Sequence, residues 1–221
     1  MNVSMLYTVS YIIAIAAAII LSMYFFREYS IKRLPASLAW GIGFILYALA
    51  QTSHLIAELF GEVTLGKSGY FGGLLIYAIA MTLFYYGTSL LFFNPGSFFR
   101  EKAAILIFAV LGSFSGYITY SFPLEGFTQT AGTYIQSVMW IIFLIITFLF
   151  YRVTRRLPKN DPRKKVLSLV SVGWAMVTMY TLYLGLLIGR WVIIDALFLI
   201  IHAVAWIMIL YGMVLGKAAK S

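Results

Sequence analysis

The sequence contains no cysteine and few charged residues. Without cysteine among its 221 residues, the chain forms no disulfide, offers no thiolate to a metal and has no cysteine nucleophile. Charged residues make up only 10% of the chain, whereas soluble domains contain about a quarter. With two histidines and seven acidic residues, acid–base or metal chemistry depends on very few side chains.

Apolar residues dominate what is present. They account for 62% of the chain, and the mean hydropathy is +0.95. The apolar residues form seven runs, each near the roughly 20 residues that a membrane-spanning helix needs. We therefore predict an all-α, polytopic membrane protein, a seven-transmembrane-helix bundle forming a single transmembrane domain over residues 1–221 with no soluble domain. The predicted helices cover residues 6–26, 37–60, 70–93, 103–121, 131–151, 166–188 and 191–216.

Lysine and arginine are concentrated in alternate loops. Fourteen lie in the first, third and fifth loops and the C-terminal tail, against two, Lys67 and Arg190, on the other side. Cytoplasmic loops carry an excess of basic residues. The pattern predicts an N-terminus outside, a C-terminus in the cytoplasm and a location in the plasma (cytoplasmic) membrane.

The net charge of +9 does not indicate nucleic-acid binding, because the basic residues lie in short loops between apolar runs, where they set membrane orientation. The fifth loop, residues 152–165, contains seven of them. The simplest interpretation is that this loop anchors topology. The alternatives are that it binds anionic lipids or a cytoplasmic partner. We also expect contact with the lipid bilayer and consider other membrane subunits as partners.

Two short matches suggest an internal repeat. The first helix leaves the membrane through SMYFFREYSIKRLP and the fifth through ITFLFYRVTRRLP. Tyr86-Gly87 near the end of the third helix matches Tyr211-Gly212 near the end of the seventh. Helices one to three and five to seven would then be parallel copies joined by the fourth, a 3+1+3 arrangement found among transporters. Chance matching of apolar sequence is the alternative.

Two ionisable residues interrupt the last apolar run. Asp195 and His202 are seven residues apart, which places them on one helix face about 10 Å from each other. Ionisable side chains at membrane depth are costly and usually face the protein interior at functional sites. With the predicted orientation, Asp195 lies roughly 6 Å and His202 roughly 16 Å below the outer surface.

The second helix carries a polar face. Tyr47, Gln51, His54 and Glu58 follow one another at spacings of four, three and four, so they share one side of the helix. His54 is predicted roughly 9 Å below the outer surface, with Glu58 nearer the rim. We therefore expect the four ionisable groups of the second and seventh helices to converge in the outer half of the membrane.

Four interpretations of this convergence remain open. One is a structural polar cluster in which His54 pairs with Asp195. The second is an outward-opening ligand or ion pocket. The third is a metal site made by His54, Asp195 and His202. The fourth is haem held between the two histidines, although their depths differ by roughly 7 Å. The pocket would also be lined by Tyr77, Met81, Tyr85, Gln136, Trp140, Tyr180, Tyr183 and Trp206.

The layout of seven helices with an outward N-terminus resembles that of the microbial rhodopsins. Those proteins have an acidic residue in the last helix and, one turn later, the lysine that binds retinal. Here Asp195 is followed one turn later by Leu199, and no lysine lies inside any predicted helix. We therefore expect no retinal Schiff base, and the cofactor is left open.

The function that these patterns favour is binding of a ligand or ion in the outward-facing half, by a small heptahelical integral membrane protein of receptor or transporter type. We expect no enzymatic activity. The alternative is a structural or accessory subunit of a larger membrane complex; a metal-dependent membrane hydrolase and a haem-binding protein have less support. The candidate ligand-binding residues are Gln51, His54, Glu58, Tyr77, Tyr180, Asp195, His202 and Trp206.

Overall fold

The computed structural model describes residues 3–124, 127–186 and 192–218 of the chain. In these ranges every regular element is helical. A short 3₁₀ turn, Glu62–Thr64, precedes the third long helix, and a π-helical turn, Phe98–Lys102, precedes the fourth. The seven long helices are α1 (Val3–Lys32), α2 (Pro35–Phe60), α3 (Gly66–Phe92), α4 (Ala103–Ser121), α5 (Phe127–Arg156), α6 (Pro162–Leu186) and α7 (Val192–Ala218).

All seven described helices are long and apolar enough to cross a membrane. This confirms the predicted number of spans and makes the chain a membrane-embedded, all-helical protein. The predicted limits of α4 agree with the observed ones. The predicted end of the sixth helix at residue 188 and start of the seventh at Trp191 lie outside the described residues, as does Arg190.

The other helices are longer than their apolar runs, because a helix does not stop where it leaves the hydrocarbon. α1 continues to Lys32 and α5 to Arg156. The extensions bring lysines into terminal turns, as at Lys67 of α3 and Lys164 of α6. The premise that no lysine lies within a helix is therefore wrong for the complete helices, and holds only for their apolar middle parts.

Local sequence explains several helix ends. Pro35 occupies the first turn of α2, where its missing N–H costs nothing because the first N–H groups have no partner in the helix. Between α3 and α4 the chain turns through Asn94-Pro95-Gly96, and Gly96 has a positive φ of 81°, which favours glycine. At the start of α6 the carboxylate of Asp161 accepts a 2.8 Å hydrogen bond from the backbone N–H of Arg163.

The chain divides into two compact units, each described here by itself. The central unit is Ala18–Ile135, and the terminal unit combines Met1–Ala17 with Gln136–Ser221. Helices α2, α3 and α4 belong to the central unit, and α6 and α7 to the terminal unit, whereas α1 and α5 contribute to both. That all these helices form a single transmembrane domain stays a prediction.

In the central unit, α2 and α3 pack closely because each has a glycine facing a large side chain of the other. A Cβ added at Gly43 would lie 2.9 Å from the ring of Phe84. A Cβ at Gly87 would overlap the Trp40 indole and lie 3.2 Å from the carbonyl oxygen of Ala36. Small residues at such contacts allow helix backbones to approach each other in membranes.

The terminal unit has a comparable contact between α6 and α7. A Cβ added at Gly173 would lie 2.7 Å from Cγ1 of Ile209, and one at Gly212 would lie 2.5 Å from Cγ2 of Val170. Beside this contact, the fully buried rings of Trp174 and Trp206 meet edge to face with centroids 5.9 Å apart. Glycines therefore set the packing of both hairpins, α2–α3 and α6–α7.

Candidate functional site

Helix α7 carries Asp195 and His202 into the interior of the terminal unit. Asp195 is 7% exposed and His202 is 3% exposed. Trp206 follows one turn after His202 and is fully buried. Residues 195, 202 and 206 share one helix face because they are spaced by seven and four. This face packs against α6, which supplies Tyr180 and Tyr183.

Both ring nitrogens of His202 are hydrogen-bonded. The indole N–H of Trp206 donates to Nε2 over 2.8 Å, and Nδ1 lies 2.9 Å from Oγ of Ser10 on α1. An indole nitrogen can only donate, so Nε2 holds no proton. The imidazole is therefore neutral with its proton on Nδ1, and it donates that proton to Ser10, whose hydroxyl points to the carbonyl oxygen of Leu199 at 3.4 Å.

This arrangement bears on the metal and haem hypotheses. A metal or haem iron binds an imidazole through a nitrogen lone pair, and the lone pair on Nε2 of His202 accepts the Trp206 hydrogen bond. Binding there would require that bond to break. Among the residues that the structure describes, no group of three or more His, Cys, Asp and Glu side chains could hold a metal ion.

Two tyrosines of α6 complete the surroundings of His202 and Asp195. Tyr183 donates a short hydrogen bond from its hydroxyl to the Asp195 carboxylate, and its ring stacks on Phe198 at 4.1 Å. The ring of Tyr180 stacks on the imidazole of His202, also at 4.1 Å. The contacts form two groups along α7, with Ser10, Tyr180 and Trp206 around His202 and Tyr183 on Asp195. We call these six side chains together the His202 cluster.

Ser10 was not among the residues predicted from sequence. It lies in the apolar run of α1 and is 192 positions from His202, so no spacing rule connects the two. The only signal is that Ser10 is one of two serines in that run. Tyr180, Asp195, His202 and Trp206, by contrast, are predicted site residues. The structure brings Tyr180 and Trp206 into contact with His202 and pairs Asp195 with Tyr183, and their role in ligand binding stays a prediction.

In the central unit, the polar face of α2 runs from the helix end into the interior. Glu58 is exposed and His54 is partly buried, whereas Gln51 is 5% and Tyr47 is 2% exposed. We call these four residues the α2 stripe. The ring of Tyr47 lies 5.8 Å from the buried ring of Tyr77 on α3, so Tyr77 joins the inner end of the stripe.

The amide oxygen of Gln51 is buried and has no hydrogen-bond partner within the part of the chain that the structure describes. Most buried polar atoms in proteins are hydrogen-bonded, and an exception calls for an explanation. The α2 stripe lies in the central unit and the His202 cluster in the terminal unit. The predicted convergence of His54 and Glu58 with Asp195 and His202 therefore stays a prediction.

The basic segment 152–165 covers the last turn of α5, the connection and the first turn of α6, and it is exposed for most of its length. Its single acidic residue, Asp161, forms a 2.6 Å ion pair with Arg163. Arg155 lies over the ring of Tyr151, 5.5 Å from its centroid. Tyrosine and arginine together are typical of membrane–water interfaces, so anionic lipid headgroups stay a proposed partner here.

The site thus consists of a buried, hydrogen-bonded cluster in one unit and a polar stripe with an unpartnered amide in the other. Comparison of the chain with protein-family models, with curated proteins and with solved structures finds no match.

Proposed function

We propose that this protein binds a ligand or ion in the outward-facing half of the plasma membrane, as a receptor or a transporter. The observation that carries the proposal is the His202 cluster. Asp195 and His202 are buried within Ile193–Val214, a stretch of α7 apolar enough to span a membrane. Ionisable side chains in such positions are rare and usually mark substrate or ion pathways.

The cluster has the properties of a recognition site. Its polar groups are held in fixed directions, since His202 is kept in one tautomer by Trp206 and Asp195 is oriented by Tyr183. Binding sites in proteins combine apolar and aromatic walls with a few oriented polar groups. The rings of Tyr180 and Trp206 supply such walls beside the imidazole.

The proposed orientation rests on the basic loops, because cytoplasmic loops carry most lysines and arginines. A chain without cysteine allows a direct test, since one introduced cysteine is the sole thiol. A membrane-impermeant thiol reagent applied to intact cells should label Lys67→Cys, in the first turn of α3 on the proposed outer side, and not Lys159→Cys. The reverse labelling would overturn the orientation.

A 3+1+3 repeat is also part of the proposal. Two helical hairpins of the proposed copies, α2–α3 and α6–α7, share one register of glycine contacts. Gly43 and Gly87 form the pair in the first hairpin, and Gly173 and Gly212 in the second; each faces the residue three positions before its partner glycine. This shared register supports the repeat beyond the Tyr-Gly matches in the sequence. Repeats of this kind place binding sites near the interface between the copies in transporters.

Native mass spectrometry of the protein released gently from its own membranes tests the proposed function. We expect a bound small mass in the wild type that is lost in Asp195→Asn, because this variant keeps the side-chain shape and removes the carboxylate. Tyr120→Phe, at a position that is 65% exposed on α4, is the matched control and should retain the mass. An identical spectrum for all three proteins, or lipid alone, would contradict ligand binding. A stoichiometric partner chain would instead favour the accessory-subunit alternative.

A further inference from the structure

The amide of Gln51 is the buried polar group of the α2 stripe whose role the proposed function leaves open. Its oxygen is buried without a hydrogen-bond partner in the described part of the chain. Such a group destabilises a fold, because it loses its bonds to water and gains none in return. An apolar side chain of similar size would fit this position at lower cost. The presence of glutamine therefore suggests that its oxygen receives a hydrogen bond from a ligand.

The α2 stripe connects this amide with the exposed end of the helix. From Glu58 through His54 to Gln51, burial increases step by step along one face. Neighbouring members are three or four residues apart, which is one helical turn. The polar face of α2 therefore continues from the exposed Glu58 to the buried amide without an apolar residue at the intervening positions of the stripe.

The chemistry at the inner end favours a cation. Gln51 presents an acceptor oxygen, and Tyr47, one turn further along the same face, has its ring 5.8 Å from that of Tyr77. Aromatic faces attract cations through their negative quadrupole. Glu58 places a carboxylate at the outer end. No lysine or arginine occurs in α2, and α3 has only Lys67, in its first turn, so neither helix has a lysine or an arginine near the inner end.

The geometry points to a binding site for a small ammonium-type cation, in which Gln51 accepts an N–H hydrogen bond and the ring of Tyr47, one turn away on the same helix face, attracts the charge. This inference rests on the proposed function, since it names the class of ligand. The N–H donors are essential to it: a cation of similar charge without them has nothing to donate to the amide.

Thermal unfolding of the full-length protein in detergent micelles tests the site. The probes are ammonium chloride and tetramethylammonium chloride at equal concentration, which match in ionic strength and differ in N–H donors. Ammonium should raise the unfolding temperature of the wild type by about 2–4 °C more than tetramethylammonium, the shift expected for a chain of this size when the site is largely filled. Equal shifts with both salts would overturn the inference.

Variants of Gln51 separate binding from structure. Gln51→Met removes the unpartnered oxygen, so it should raise the unfolding temperature without ammonium and abolish the ammonium-specific shift. Gln51→Glu keeps an acceptor oxygen and should retain the shift. The control is Thr52→Val, because the Thr52 hydroxyl is already bonded to the carbonyl oxygen of Ala48 at 2.8 Å; it should leave the shift unchanged.

An ammonium-specific shift that survives in Gln51→Met would overturn the assignment to this amide. The result is independent of the mass-spectrometric test of Asp195. A bound mass lost in Asp195→Asn, together with no ammonium effect, would reject this site and leave the proposed function in place.

Discussion

The α2–α3 and α6–α7 hairpins share a packing arrangement and differ in their polar content. In both, a glycine on each helix faces the residue three positions before the partner's glycine. The facing pairs are Gly43 with Phe84, Gly87 with Trp40, Gly173 with Ile209, and Gly212 with Val170. The register is therefore common to two hairpins whose facing side chains have different sizes and shapes.

The two hairpins diverge at the positions ten residues before Gly87 in α3 and ten residues before Gly212 in α7. In α3 this residue is Tyr77, which lies near another tyrosine, Tyr47. In α7 it is His202, which binds Ser10 and Trp206 through its two nitrogens. The close packing of the helices is thus independent of which polar side chains they carry. Close packing requires only the space left by glycine, whereas a buried polar side chain requires hydrogen-bond partners.

The largest effect is expected from filling the glycine contacts. Gly87→Ala and Gly212→Ala should each destabilise the protein by about 2–3 kcal/mol, because the new methyl group has no room and overpacking has costs of this size. Equilibrium unfolding in detergent measures both. Gly72→Ala is the control, since a Cβ there meets nothing within 4 Å, and alanine favours a helix by up to about 1 kcal/mol. If one hairpin accepted alanine without loss of stability, the glycine contacts of the two hairpins would contribute unequally to the free energy of unfolding.

Smaller losses of stability are expected from substitutions at the two matched positions, His202 and Tyr77. His202→Phe should destabilise by about 1–2 kcal/mol, because Ser10 and the Trp206 N–H lose their partner inside the protein. Tyr77→Phe removes only a hydroxyl and should cost about 0.5–1 kcal/mol. The two variants are compared by the same unfolding measurement. Equal losses of unfolding free energy would show that the polar groups of His202 and Tyr77 contribute equally to stability.

Trp206→Phe should destabilise by about 1–2 kcal/mol, because it removes one hydrogen bond and leaves a small cavity at a fully buried position. Its informative consequence is chemical. In the wild type the His202 proton should reside on Nδ1, and without the indole donor the Nε2 tautomer becomes accessible. Nitrogen-15 NMR of the histidine rings distinguishes the tautomers, and His54→Gln assigns the signals because the chain has only two histidines. A wild-type proton on Nε2 would contradict the assigned hydrogen bonds.

The sequence predicted the spans well and their ends less well. The limits of α4 were correct because Pro123 and the charged residues Arg100 and Lys102 bracket its apolar run. The ends of α1 and α5 were placed too early, since hydropathy marks where the chain leaves the hydrocarbon and not where its hydrogen bonds stop. Asp195 and His202 could be found because ionisable residues stand out in an apolar run.

The sequence by itself determined that this chain has seven membrane-spanning helices, because hydrophobicity acts locally over some 20 residues. It also determined which faces of α2 and α7 are polar, because helical periodicity is local. Only the tertiary structure decided the tautomer of His202, the pairing of Asp195 with Tyr183 and the burial of Gln51. Each of these depends on atoms brought near by the packing of one helix on another, and spacing along the chain does not encode that packing in any simple way.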